Sequence, residues 1–104
     1  MKPFDWNPGK NLLLKTLRGL DFNDIITAFN EDGLIDAINH PNQKKYQGQK
    51  IFIVKINKYC YSIPFVETEE KIFLKTIIPD RKATKKYLKK GKSIWTNTTI
   101  SITN

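Results

Sequence analysis

Between Lys50 and Leu88 the apolar positions recur at every residue, then at every second residue, and finally along one narrow stripe. The run Ile51 to Ile56 is apolar at Ile51, Phe52, Ile53, Val54 and Ile56, so both faces of a strand would carry hydrophobic side chains. Such a strand is central in a sheet. Tyr59 to Val66 alternates instead, with Tyr59, Tyr61, Ile63 and Phe65 on one face and Cys60, Ser62, Pro64 and Val66 on the other. Asn57-Lys58 between the two runs predicts a two-residue hairpin, because Asn tolerates positive φ, although Lys is a weaker turn former there than Gly. A third run, Lys71 to Ile78, places Ile72, Leu74, Thr76 and Ile78 on one face and Phe73, Lys75 and Ile77 on the other. Three strands in meander order follow. Pro64 has no N–H to donate to a ladder, so it is expected at an edge, a bulge or a strand end.

After Pro79 the period changes. Asp80 is a helix N-cap, and Arg81 to about Lys90 reads as a helix closed by Gly91, with Ala83, Tyr87 and Leu88 as its apolar stripe. Upstream, Phe4-Asp5-Trp6 is long enough for a short added strand. Asn7-Pro8 starts a helix that carries Leu12, Leu13, Leu14 and Leu17 to Gly19, and Asp21 with Asp24 opens a second, striped by Phe22, Ile25, Ile26 and Phe29. Leu34 to Ile38 reads as a further strand, and His40 to Gln49 as a polar connector.

The expected fold is α+β. Two N-terminal helices pack on one face of a four- to five-stranded, mainly antiparallel sheet, and a short basic C-terminal helix lies at its end. Leu13, Leu17, Ile25 and Phe29 are expected to cover Phe52, Val54, Tyr61, Leu74 and Ile78. Residues 1–91 form the single domain, and 92–104, with Ile94, Trp95, Ile100 and Ile102, are an added strand or a tail.

Composition narrows the partners. The 104 residues carry a net charge of +8, and nine of the eighteen basic residues fall between Lys71 and Lys92, where Asp80 is the sole acid. That clustering points to an anionic partner such as RNA, against the plainer reading of a solvated basic helix face. Membrane binding is disfavoured because the apolar stripe is too narrow to insert and no apolar run approaches the roughly 20 residues of a span. The start of the chain lacks the apolar core of a secretory signal, so a soluble, cytoplasmic protein is expected. Cys60 is the only cysteine, which excludes an intramolecular disulfide and a cysteine-based zinc site. With no Gly-rich phosphate loop, no HExxH and no nucleophile elbow, neither a metal nor a cofactor is expected. His40, the only histidine, is either a loop residue bonded to its neighbours or an acid–base group.

Several short motifs occur together in order: Phe4-Asp5-Trp6-Asn7 with Lys10-Asn11, Arg18-Gly19-Leu20-Asp21-Phe22 with Ala28-Phe29, and Ile77-Ile78-Pro79-Asp80-Arg81-Lys82-Ala83-Thr84-Lys85-Lys86. Over about residues 4 to 88 the chain thereby resembles the BrnT family of type II toxins. The resemblance implies a RelE-like fold and a metal-independent endoribonuclease that inhibits translation by cleaving RNA, free or on the ribosome. It also implies a cognate antitoxin of the ribbon-helix-helix type, through which alone the toxin would meet DNA. Arg81 and Lys82 match the family's Arg-Lys-Ala motif, and a phosphate-binding or catalytic role passes to Arg81. The last strand departs from the family, with Thr76 where an Arg is usual and Lys75 beside it. Lys75 is expected to assist Arg81, with His40, Glu67 and Tyr87 as the groups chemically able to move a proton. Lys82, Lys85, Lys86 and Lys89 are expected to steer RNA. A non-catalytic RNA- or protein-binding module would use the same surface, and the basic helix could also serve as the docking face for the antitoxin.

Overall fold

In the computed structural model, which describes residues 2–89, the chain forms β1 (Phe4–Asp5), α1 (Pro8–Arg18), α2 (Phe22–Asn30), β2 (Leu34–Asn39), β3 (Lys50–Ile56), β4 (Tyr59–Glu67), β5 (Ile72–Leu74), β6 (Ile78–Pro79) and α3 (Arg81–Thr84). A π-helical turn, Lys85–Lys89, continues directly from α3. The sheet order is β1-β5-β4-β3-β2, with β6 also paired to β4. Every pairing is antiparallel except that of β1 with β5. The segment 92–104 and the Gly91 helix stop lie outside the described residues.

Local chemistry fixes the helix ends. Asn7 Oδ1 accepts from the Lys10 N–H at 3.0 Å, and Gly19, at φ 74°, closes α1 in the left-handed conformation that glycine adopts without a Cβ clash. In α2, Asp21 accepts from the Asp24 N–H at 3.1 Å while Asp24 accepts from the Asp21 N–H at 2.9 Å. This reciprocal box satisfies two N–H groups that a helix start leaves without intrahelical partners. Gly33 brings β2 close beneath α2, since a Cβ there would lie 2.8 Å from the backbone oxygens of both Ala28 and Lys55.

The sheet is covered on both faces. On one, Phe22, Ile25 and Ala28 of α2 and Leu14 of α1 close over Phe52, Val54, Ile63, Phe65, Ile72, Leu74 and Ile77. Aromatic rings run through this layer: Phe52 stacks on Phe65 at 3.8 Å, and Phe29 meets Phe52 edge-on at 5.0 Å. On the other, Ala83 packs with Ile51, Ile53 and Cys60, flanked by Ile35, Tyr87 and Leu88. The basic helix therefore lies across the back of the sheet, with the apolar stripe its spacing predicts.

The leucine stripe of α1 differs from expectation. Leu13 and Leu17 do not cover the sheet: they are 49% and 71% exposed, as is Leu12 at 70%, and only Leu14 is buried. The helix seated on β3 is α2, so a single row of α1 reaches the core.

The third strand also differs, because it divides. Leu74 pairs with Phe65, but Ile78 pairs with Ser62, so the register slips by one residue across Lys75 to Ile77. The slip lies opposite Pro64, whose carbonyl accepts from the Lys75 N–H at 2.8 Å but which has no N–H to return. Ile77 is consequently buried with Ile72 and Leu74, while Ile78 is 44% exposed, the reverse of strict alternation.

Candidate nucleic-acid interface

Two adjacent strands and a short helix build the basic end of the sheet. The β3–β4 hairpin turns on Asn57 and Lys58, at φ 52° and 70°. Both central residues in the left-handed region make a tight reversal that follows the twist of the strands. Immediately beside it, the Asp80 N–H donates to the Cys60 carbonyl at 3.0 Å, which ends β6 against the start of β4. Asp80 then caps α3, accepting from the Ala83 N–H at 2.9 Å and from the Ser62 hydroxyl at 2.6 Å.

Thr84 completes the lock. Its hydroxyl donates to the Asp80 carbonyl at 2.8 Å and accepts from the buried Cys60 N–H at 2.9 Å. Both backbone groups of Cys60 are thus held by the residues flanking Arg81, and a buried N–H needs such a partner. Burial pushes the Cys60 thiol above its ordinary range, and the side chain is fully enclosed, so it acts as a small core residue and not as a nucleophile.

What this frame presents is a cleft of about 380 Å³ lined by Lys58, Tyr59, Arg81, Thr84 and Lys85. Lys58, Arg81 and Lys85 are exposed, Tyr59 is half-buried, and no carboxylate lines the cleft. Among the described residues none of the three cations forms an ion pair. A guanidinium, two ammonium groups and a phenol suit the oxygens of a phosphodiester, with the guanidinium able to take two at once, while the Thr84 hydroxyl is spent within the frame.

The remaining candidates are not gathered here. Lys75 lies opposite Pro64, four residues along β4 from Cys60, or about 13 Å at strand rise. Its ammonium sits 5.7 Å from the Phe73 ring centre, over which Lys71 also lies at 5.8 Å. Glu67 is at the far end of β4, about 23 Å from Cys60 by the same rise. There it bonds Lys2 at 2.8 Å, and that ammonium holds its carboxyl below the usual glutamate range. His40 belongs to the same far end, because its neighbour Asn39 pairs with Lys50 and Lys50 with Phe65. Its Nδ1 accepts from the Asn42 N–H at 3.0 Å and its ring lies 4.3 Å from that of Tyr46. Of its two readings, the loop residue bonded to its neighbours describes this geometry.

Tyr87 lies over β2, where its hydroxyl donates to Asp36 at 3.0 Å. Lys86 stands 5.0 Å from the Tyr87 ring, Lys82 is exposed on the turn that carries Arg81, and the Lys89 side chain lies outside those described. Lys58 and Tyr59 are the residues that the linear pattern does not bring forward. The available signal was a lysine at a turn position where glycine is the ordinary choice.

No group of His, Cys, Asp and Glu able to hold a metal occurs among the described residues, and none of their helices is long and apolar enough to cross a membrane. The chain matches no family model, no curated protein and no solved structure.

Proposed function

We propose that this protein is an RNA-directed toxin of a type II toxin–antitoxin pair, acting as a metal-independent endoribonuclease at the Arg81 cleft. The observation that carries the reading is the convergence of Arg81, Lys85 and Lys58 on one carboxylate-free cleft. It is supported by the ordered motifs that resemble the BrnT family, whose Arg-Lys-Ala element is the one carrying Arg81. The 2′-hydroxyl of the substrate attacks the adjacent phosphorus, the bond to the 5′-oxygen breaks, and a cyclic phosphate remains. Arg81 neutralises the charge that builds on the phosphoryl oxygens, and one group accepts the 2′-hydroxyl proton while another protonates the departing oxygen. Besides Lys58, the titratable side chains lining the cleft are Tyr59 and Lys85, and the proton transfers are assigned to these two in place of His40, Glu67 and Tyr87.

A second reading has its own observation. With neither an imidazole nor a carboxylate in the cleft, the site lacks the commonest general bases, which favours a module that binds RNA without cutting it. Purified protein incubated in EDTA with free and with ribosome-bound RNA separates the two. Fragments ending in a cyclic phosphate support the toxin, and binding without cleavage supports the module. The proposed partner is an antitoxin whose acidic or apolar segment covers part of the basic surface and inhibits by masking the cleft. Co-purification with the product of an adjacent gene tests that, and no complex at micromolar concentration contradicts it.

A further inference from the structure

Lys58 combines an unfavourable backbone conformation with a place in the cleft. Among the described residues three non-glycine positions have positive φ, Asp32, Asn57 and Lys58, and Lys58 alone has neither an Asn nor an Asp side chain to ease the left-handed conformation. Glycine is the favoured residue at this second turn position. The same residue also brings a third cation to a cleft that Arg81 and Lys85 line, and no carboxylate lines it. Backbone strain at an exposed residue that lines a carboxylate-free cleft is the kind of local conflict found at ligand-binding sites.

The geometry points to Lys58 as a phosphate clamp: the hairpin tip holds an ammonium group against the backbone of single-stranded RNA, across the cleft from Arg81 of α3 and Lys85 of the π-helical turn. This assignment rests on the RNA reading of the cleft and adds a contact from a second, non-adjacent segment. Two segments gripping one backbone would fix the strand's direction through the cleft, which a single basic helix turn does not.

The test exploits the conflict, because removing the lysine relieves strain and weakens binding together. Lys58→Gly and Lys58→Asn both suit the turn and remove the charge, whereas Lys58→Arg keeps it. Binding is read by fluorescence anisotropy with a 2′-O-methyl oligouridylate, which cannot be cut by its own 2′-oxygen, across a salt series. Lys58→Gly and Lys58→Asn are expected to raise Kd several-fold and lower the salt dependence by about one released counterion, with no fall in Tm, while Lys58→Arg retains wild-type binding. Lys44→Ala, in the exposed β2–β3 loop, leaves affinity and salt slope unchanged. Equal affinity and slope for wild type, Lys58→Gly and Lys58→Asn overturns the clamp and leaves the Arg81 cleft standing. Failure of the wild type to bind overturns the RNA reading and the clamp with it, and competition by polyglutamate as strong as by RNA overturns RNA as the ligand.

Discussion

The two ends of the sheet carry similar side chains and use them differently. At the Glu67 end, Lys2 pairs with Glu67 at 2.8 Å, Lys71 pairs with Asp5 at 2.8 Å, and His40 is bonded within its own loop. These charges tie β1 and the chain start to β4 and β5. At the hairpin end, Lys58, Arg81 and Lys85 line a common cleft and form no ion pair among the described residues, while Asp80, the acid nearest in sequence, is engaged by Ser62 and the α3 backbone. Lysine content alone would not separate the ends. Lys2 and Lys71 differ from the cleft cations by their pairing, since a cation already matched to a carboxylate has less to gain from a phosphate.

Substitutions at the two ends should therefore differ most in their effect on cleavage. Arg81→Ala is expected to lower RNA cleavage by about 10²–10³, the scale for loss of one transition-state donor. His40→Ala and Glu67→Gln are expected to leave the cleavage rate at wild-type level. A large loss from either, in protein that remains folded, would move the chemistry to the other end of the sheet.

A smaller effect tests how Arg81 is held. Thr84→Val keeps shape but leaves the buried Cys60 N–H without its acceptor, which should cost about 1–3 kcal/mol in denaturant unfolding. Cleavage should fall as well, because α3 loses one of its ties to β4, whereas Thr84→Ser should retain both. Unchanged stability in Thr84→Val would contradict the anchoring role.

Smaller still is the pH response of the paired end. Lys71 and the Trp6 N–H hold the Asp5 carboxyl below its ordinary range, and Lys2 does the same for Glu67. With folded values depressed, their contribution is present above the ordinary carboxylate range and is lost as pH falls through the folded values. Asp5 also raises Lys71, whose contribution is present below the ordinary lysine range and fades as pH rises through its raised value. Glu67 and Lys71 are exposed and Asp5 is half-buried with its carboxyl open to solvent, so the effect should be slight and should vanish in high salt. Denaturant midpoints of Asp5→Asn and wild type, compared across pH at low and high salt, measure it.

Much of this arrangement is legible in the residues because it is set by neighbours in the chain. Asn7, Gly19, Asp21 and Asp80 cap where expected, and Asn57-Lys58 makes the hairpin, since each depends on backbone geometry within a few residues. The docking of α1 was not legible. Leu13, Leu14 and Leu17 are equally apolar, and which of them faces inward depends on how α2 sits on β3. Leu17→Ala is accordingly expected to change stability by no more than about 0.5 kcal/mol, and a loss several times larger in denaturant unfolding would place that side chain in the core after all. The slip at Lys75 to Ile77 was half legible: Pro64 signalled an irregularity, but the strand that yields is its partner. For the candidate site, Arg81, Lys82 and Lys85 were visible as a basic run after a cap. The separation of His40 and Glu67 from them is a property of sheet register, and Lys58 joins them only because a hairpin and a helix start meet at Cys60.

Chemical-shift mapping with a short single-stranded RNA tests the difference between the two ends most directly. In a titration of the labelled protein in EDTA, the backbone amides of Lys58, Tyr59, Arg81, Thr84 and Lys85 should shift together, while those of Lys2, His40 and Glu67 stay in place. Shifts centred on His40 and Glu67, or spread evenly over the exposed lysines, would contradict the account.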